Sequence, residues 1–391
     1  MKYLRWTVAV LAVLLSLAVS SPTCEWDYLI WIPRSLTADP LYRFVREGKV
    51  GYIDDTGRIV VPPTIEFYGG NSGGEFHDGL LEIGASDGEY VDRTGRKPFH
   101  RKFERGWDFS EGLAVAMETE DGKWGYIDTK GEFAISPRFN SSPTDYVWPF
   151  EGGFAKIEVA GKFGYIDHSG NFIIPPTLLD GDSFHEGFAR VVVDGPCIEM
   201  QRLPCSAPKI VPPGGQVQPS TASCKYGFVD TSGKILSELR FDQALFFSQG
   251  LAPVEIGKLW GYLDTSGRFA ISPRFEKAEP FSDGLGLVSE NGLSGFIDRD
   301  GSYVIQPQFK NAESFAGGLA VIGDEGSGYF YINKSGQRAF SGKFLLASSF
   351  FKGLAHVKLR ETSLGEDSLE ETFAYINSAG ERVFTYRYKV D

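Results

Sequence analysis

Between residues 109 and 150 the apolar positions fall into short runs separated by turn-forming pairs, with the spacing of strands. Leu113-Ala114-Val115-Ala116 reads as a first strand, entered from the Glu111-Gly112 turn. Residues 123–128 read as a second, reached through Asp121-Gly122, a pair suited to a tight hairpin. Alternation puts Trp124 and Tyr126 on one face and Gly125 and Ile127 on the other. Gly125 is expected to leave room for an aromatic ring from the next strand or the next repeat. Asp128-Thr129-Lys130-Gly131 is a second turn, in which the carboxylate accepts backbone N–H bonds and the glycine takes positive φ. Phe133-Ala134-Ile135 reads as a short third strand. Pro137 limits it, because proline removes a ladder donor. Residues 139–150 read as a connecting loop with room for one helical turn. Such a three-stranded antiparallel meander has an apolar face that needs a neighbour.

The same unit returns along the chain. Its marker, Gly-Tyr-Ile-Asp, begins at Gly51, Glu89, Gly125, Gly164, Gly227, Gly261, Gly295, Phe330 and Ala374, at offsets of 38, 36, 39, 63, 34, 34, 35 and 44 residues. Downstream stands Ile-x-Pro-x-Phe, as at 135–139, 271–275 and 305–309. Upstream of most markers stands Phe-x-x-Gly-Leu/Phe-Ala-x-Val, as at 109–115, 184–191 and 350–357. The unit is defined along its whole length.

The marker, its Lys123-Trp124-Gly125 version and the Phe-x-x-Gly-Leu-Ala segment resemble bacterial WG repeats, also called KWG repeats, over residues 42–391. Only Trp124 and Trp260 fill the tryptophan slot; Val50, Phe163, Tyr226 and Ser294 stand there elsewhere. The resemblance implies a repeat architecture and brings no catalytic residues with it.

The expected fold class is all-β, with nine tandem three-stranded β-meander repeats in an open superhelical array. The alternative is a β-propeller or two propeller-like arcs. An open array tolerates variable repeat length because each unit touches only its neighbours, whereas propeller blades are usually four-stranded and number four to eight. The layout reads as a signal peptide at 1–20, an N-terminal segment or cap at 21–41 and the array at 42–391. Within the array lie an insert at 194–224 and a terminal strand at 381–391. Composition agrees: 47 glycines beside 31 Phe and 17 Tyr suit short strands and tight turns better than helices.

The start of the chain changes the cellular setting. Lys2 and Arg5 precede an apolar run at 6–19, and Ala18-Val19-Ser20 offers a cleavage site. Fourteen apolar residues are short for a membrane span, so export is expected, to the periplasm, the medium or the cell surface, with no transmembrane segment in the mature chain. Without residues 1–20 the net charge moves from −12 to −14, which argues against nucleic acid as partner. Cys24, Cys197, Cys205 and Cys224 permit two disulfides in an exported chain. Three of them lie in the proline-rich insert, which reads as a disulfide-held surface loop. Lipidation at Cys24 is disfavoured by Ser21-Pro22-Thr23 before it.

Chemistry is sparse. Asp54, Asp92, Asp128, Asp167, Asp230, Asp264 and Asp298 recur at one place, where a turn needs an Asx side chain whether or not a ligand exists; Asn333 and Asn377 keep that role without charge. Glu111, Glu186 and Asp283 precede the Gly-Leu/Phe step and offer carboxylates for glycoside hydrolysis, but a catalytic pair should be singular. His77, His100, His168, His185 and His356 are scattered, with no H-E-x-x-H segment. No catalytic, cofactor-binding or metal residues are assigned, and no cofactor is expected. Trp107 and Trp148 offer rings for sugar stacking or peptide burial, or for filling gaps between meanders. The expectation is an exported, non-catalytic binding or scaffolding protein that engages protein or peptide at the cell envelope. Carbohydrate or peptidoglycan is the alternative partner, and hydrolase activity the third reading.

Overall fold

The protein, seen in a computed structural model, is described over residues 40–66, 74–83, 88–120, 122–141, 146–194, 225–237, 240–324, 328–363 and 369–390. The expected leader, the segment 21–39 and residues 195–224 of the insert lie outside the described residues. The disulfide expectation is corrected: among the described residues no cysteine pair comes near bonding distance, since Cys24, Cys197, Cys205 and Cys224 all lie outside them.

Every regular element among the described residues is a strand, and the strands form nine antiparallel sheets in tandem. Hairpin alternation sets the middle pair of each: in the third sheet Leu113–Met117 pairs with Trp124–Asp128, with Val115 opposite Tyr126. The outer strand is longer than expected. Phe133–Phe139 runs through Pro137, and its register slips twice, pairing Trp124 with Phe139, Tyr126 with Ile135 and Ile127 with Phe133. Proline is tolerated because it sits in this irregular stretch at the sheet edge, where no ladder donor is required.

The segment expected to be a loop with a helical turn is instead extended. It supplies a further, inner strand, often of two residues, as in Arg105–Gly106, Gln243–Ala244, Lys277–Ala278 and Leu346–Ala347. Five sheets therefore have four strands, three have three and one has two, where three throughout were expected. Extension satisfies backbone groups that a loop so close to the core would leave unpaired. The residue closing this strand is small because the preceding sheet crowds it: a Cβ on Gly106 would lie 2.4 Å from Tyr90 Oη.

Sheet stacks on sheet through one repeated aromatic pair. The marker tyrosine meets the phenylalanine of the next Phe-x-x-Gly segment, at ring separations of 5.2 Å for Tyr90–Phe109, 5.0 Å for Tyr126–Phe150, 4.9 Å for Tyr165–Phe184 and 4.9 Å for Tyr262–Phe281, all edge to face. That geometry sets the positive edge of one ring on the negative face of the other. The hydroxyl then reaches past the ring to a backbone carbonyl of the next sheet: Trp107 at 2.8 Å, Trp148 at 2.7 Å, Asp182 at 2.6 Å and Glu279 at 2.9 Å respectively. Burial pushes these phenols far above their ordinary pKa, so they remain donors.

The array is open in its hydrogen-bond ladders. Among the described residues each ladder stays within one sheet and none joins the last sheet to the first; the protein is not a closed barrel. Its two ends nevertheless touch through side chains. Tyr375 Oη donates to the Arg43 carbonyl at 2.6 Å, and its ring lies 5.4 Å from Tyr42, whose hydroxyl donates to the Lys352 carbonyl at 2.8 Å. Phe44 packs on Phe384 and Tyr386 at 5.0 and 6.1 Å.

Candidate functional site

Most repeated polar groups are consumed in holding the repeats. In all nine marker turns the Asx Oδ1 accepts the N–H groups two and four residues on, at 2.8 to 3.1 Å. These bonds favour the carboxylate. In Asp54 the Thr56 hydroxyl, then Arg58 and the turn amides, outweigh desolvation and lower the pKa to about 2, and Asp230 and Asp264 shift the same way. A depressed pKa contributes stability that is complete above the unfolded value near 4 and lost as pH falls towards 2. Thermal melts from pH 5 to 2 should therefore show progressive acid destabilisation. Asp264→Asn, the residue type that the eighth and ninth turns already use, should flatten its turn's share; an unchanged acid profile would remove the turns from the cause.

Glu111, Glu186 and Asp283 are brought together with neighbouring turns and not with each other. Each sits at positive φ, at 54°, 50° and 52°, and caps the equivalent turn of the following sheet. Glu111 accepts from Gly153 N at 3.0 Å, Glu186 from Gln249 N and Gly250 N at 2.7 Å, and Asp283 from Gly318 N at 2.6 Å. Gln249 does the same to Gly284 N at 3.0 Å with no charge at all, so the slot is for capping. Trp107 packs on Trp124 at 6.0 Å against the third sheet's core. Trp148 lies 5.8 Å from Phe163, with Lys156 Nζ 4.2 Å above its ring. His356 bonds Tyr386 Oη at 2.8 Å, and burial pushes its pKa down to about 4. Among the described residues no group of three or more His, Cys, Asp or Glu is placed to hold a metal ion.

What remains is a cleft of about 460 Å³ between the third and fourth sheets, lined by Arg138, Phe139, Asn140, Glu158, Val159 and Phe172 among others. The outer strand Phe133–Phe139 has the same sequence as Phe269–Phe275, FAISPRF. In both, the arginine donates to a turn carbonyl of the next sheet, Gly170 or Gly301, and lies over its neighbouring ring, at 5.0 Å for Phe139 and 4.7 Å for Phe275. The partners differ. Opposite the second copy, Tyr303 Oη donates to Glu290 Oε2 at 2.7 Å and bridges hairpin to outer strand. Opposite the first copy the equivalent residues are Phe172 and Val159, which cannot make that bridge and are 42 % and 38 % exposed. Glu158, buried, replaces Ser289.

By sequence the chain matches the family described as WG containing repeat at residues 51–76, 124–163, 163–195, 226–260, 260–293 and 295–326, together just over half of its length. No curated protein matches it. Among solved structures it is similar to a eukaryotic initiation factor, with a TM-score of 0.55 and 10 % identity over 90 % of this chain and 96 % of that one. It also matches the computationally designed Ika8 protein, with a TM-score of 0.37 and 11 % identity over 71 % and 85 %. BamB from Moraxella catarrhalis matches with a TM-score of 0.32 and 12 % identity over 87 % and 94 %. At these identities the first likeness speaks to the fold alone, and the other two carry no argument.

Proposed function

The chain belongs to the WG-repeat family, and from that premise we propose that it is a non-catalytic interaction module that binds a protein partner at the cell envelope. The cleft between the third and fourth sheets takes an extended peptide segment of that partner. The observation that carries this reading is the exposed pair Phe172 and Val159 on the cleft, at the positions where the other copy of the same strand faces the hydrogen-bonded Tyr303 and Glu290. Apolar walls with a few polar groups at the rim suit an apolar side chain held in place by its own backbone. The repeated acids support a non-catalytic role, because their oxygens are engaged in turns and caps. The leader-like residues 1–20 support export, and the acidic balance disfavours nucleic acid. A glycan is the second reading, favoured by an exposed Phe172 ring beside Asn171 and Asn140 at the cleft.

The test transplants the tyrosine–glutamate bond. Val159→Glu with Phe172→Tyr restores the bridge without touching the core. Peptides selected on the wild-type chain from a displayed random library should bind the double variant at least ~10-fold more weakly, the loss of about 1.4 kcal/mol of contact. Equal binding to both chains would remove the cleft from the interface. Enrichment on a glycan array with no peptide selected would promote the second reading.

A further inference from the structure

The fourth and fifth sheets place ionisable side chains at a seam position that three other sheets fill with serine. In the Phe-x-x-Gly turn the residue after the phenylalanine is serine in the third, sixth and seventh sheets. There Ser110, Ser248 and Ser282 donate to the carbonyls of Phe150, Phe281 and Phe315 in the next sheet, at 2.5, 2.7 and 2.5 Å. In the fourth sheet that position is Glu151, and in the fifth it is His185. Glu151 is 9 % exposed. Among the described residues its Oε1 is the one buried side-chain nitrogen or oxygen without a hydrogen-bond partner, and His185 Nε2 stands 3.6 Å from it. The Phe184 carbonyl is at this junction too, 2.1 Å from where a Cβ on Gly152 would be. A serine closes such a seam with its hydroxyl proton. A carboxylate has none to give, whereas a carboxylic acid has one.

We propose that Glu151 and His185 form a proton-operated latch between the fourth and fifth sheets: with a proton bound, the pair closes this seam as serine closes three others, and its loss leaves a buried carboxylate that loosens it. The groups around the pair act consistently. Burial is the largest influence on Glu151. Glu111 from the third sheet's turn and Asp182 from the fifth sheet's first strand add to it, opposed by Ser183 and by Lys156 from the fourth sheet, and the carboxyl is raised to about 7. Burial lowers His185, against Asp182 and Glu186. His168 lies one step out, 3.4 Å from Glu111 and stacked on Phe150 at 4.2 Å, so titratable groups continue into the third sheet.

The direction of the pH dependence follows. A carboxyl whose folded pKa is raised contributes stability that is fully present below its unfolded value near 4.5 and lost as pH rises through about 7. A histidine whose folded pKa is lowered instead costs stability as pH falls below its ordinary 6.5. The latch is therefore tightest in mildly acid solution, with the acid protonated and the imidazole neutral, and it releases towards pH 8.

The test compares the full wild-type chain with Glu151→Gln, a neutral side chain that retains N–H donors, and Glu151→Ser, the residue that three other seams use. Between pH 6 and 8 the wild-type Tm should fall by about 3 °C more than that of either variant. Amide exchange over Gly181–His185 should rise in the same interval in the wild type alone. Parallel Tm profiles in all three chains would overturn the latch, as would an exchange increase shared equally by every seam. A carboxyl carbon resonance for Glu151 that titrates near the ordinary value of about 4.3 would also overturn it. Should the glutamine variant fail to fold, the serine variant and the resonance still decide.

Discussion

Gly261→Ala is expected to destabilise the protein by about 3 kcal/mol or more, although it adds a single methyl group. The reason is what that methyl meets. A Cβ at Gly261 would lie 2.5 Å from the Ile271 carbonyl oxygen, 2.6 Å from Pro273 N and 2.9 Å from Pro273 Cα. All three are backbone atoms of the bulged outer strand, so no flexible side chain can turn away, and relief requires moving a strand. The register slip between Trp260–Phe275 and Tyr262–Ile271 is what brings this backbone across the glycine. Gly125, Gly164 and Gly295 show the same approach, at 2.6, 2.5 and 2.7 Å from the equivalent isoleucine carbonyls. A control separates crowding from conformation. Gly284 has positive φ, at 85°, and nothing within 4 Å of its notional Cβ, so Gly284→Ala should cost only the left-handed strain, about 1 kcal/mol. Urea unfolding of both variants checks the order. Equal losses, or a loss under ~1 kcal/mol for Gly261→Ala, would show that the outer strand yields and that the bulge is not what fixes the glycine.

The marker glycine also shows where reading the sequence stopped short. Alternation along 123–128 put Gly125 on the face opposite Trp124, and a ring was the expected occupant of the space. Phe133 does approach, at 3.0 Å, but the Ile135 oxygen and Pro137 nitrogen come closer. A bulge that carries backbone across a neighbouring strand leaves no periodic mark; its trace is a proline that sequence rules read as a strand end. The inner strands were missed for a related reason. Lys277–Ala278 is two residues long, below the length at which alternation shows, and it forms because Ala278 pairs with Val288 in a strand already in place. By contrast the Asx turns were fully legible, since their partners lie two and four residues away and the chemistry is local.

The candidate sites were visible in the sequence only as differences between particular repeats. Lining up Phe109-Ser110, Phe247-Ser248 and Phe281-Ser282 with the other units shows Glu151 and His185 in the fourth and fifth, and His77, Ala316 and Phe351 in the second, eighth and ninth. Yet what the serines do, donating to a carbonyl about 33 to 40 residues away, is a fact of stacking and not of sequence. Phe172 and Val159 match Phe269 and Ile256 of the sixth sheet in kind, and differ from Tyr303 and Glu290 in a way that matters only once the hydroxyl–carboxylate bridge is known. In a repeat protein each unit serves as the control for the others, so the informative residues are those that leave a group unpaired or a gap unfilled where the other copies do not.

The contact between the two ends of the array gives the second large effect: Tyr375→Ala should cost about 3–5 kcal/mol, the range for emptying a buried aromatic site. Tyr375 is 8 % exposed, and it repeats at the ends what the marker tyrosines do inside, with its ring on Tyr42 and its hydroxyl on the Arg43 carbonyl. Tyr375→Phe, which keeps the ring and removes the bond, should cost only about 1 kcal/mol, as should Tyr262→Phe at an internal junction. The alanine variant should in addition raise amide exchange across Tyr42–Arg46, a strand 332 residues away whose neighbour would have been removed. A cost near 1 kcal/mol with unchanged exchange there would mean that the ends merely lie beside each other. The expected result rests on a general difficulty of stacked repeats, which is that the first and last units expose the apolar faces that internal units bury. This chain has ladders open at both ends and no covalent staple among its described residues, and it meets that difficulty by setting Phe44 and Tyr42 against Phe384, Tyr386 and Tyr375. Bringing such distant segments together costs loop-closure entropy that grows only slowly with separation, and one buried aromatic junction of this kind is large enough to offset it.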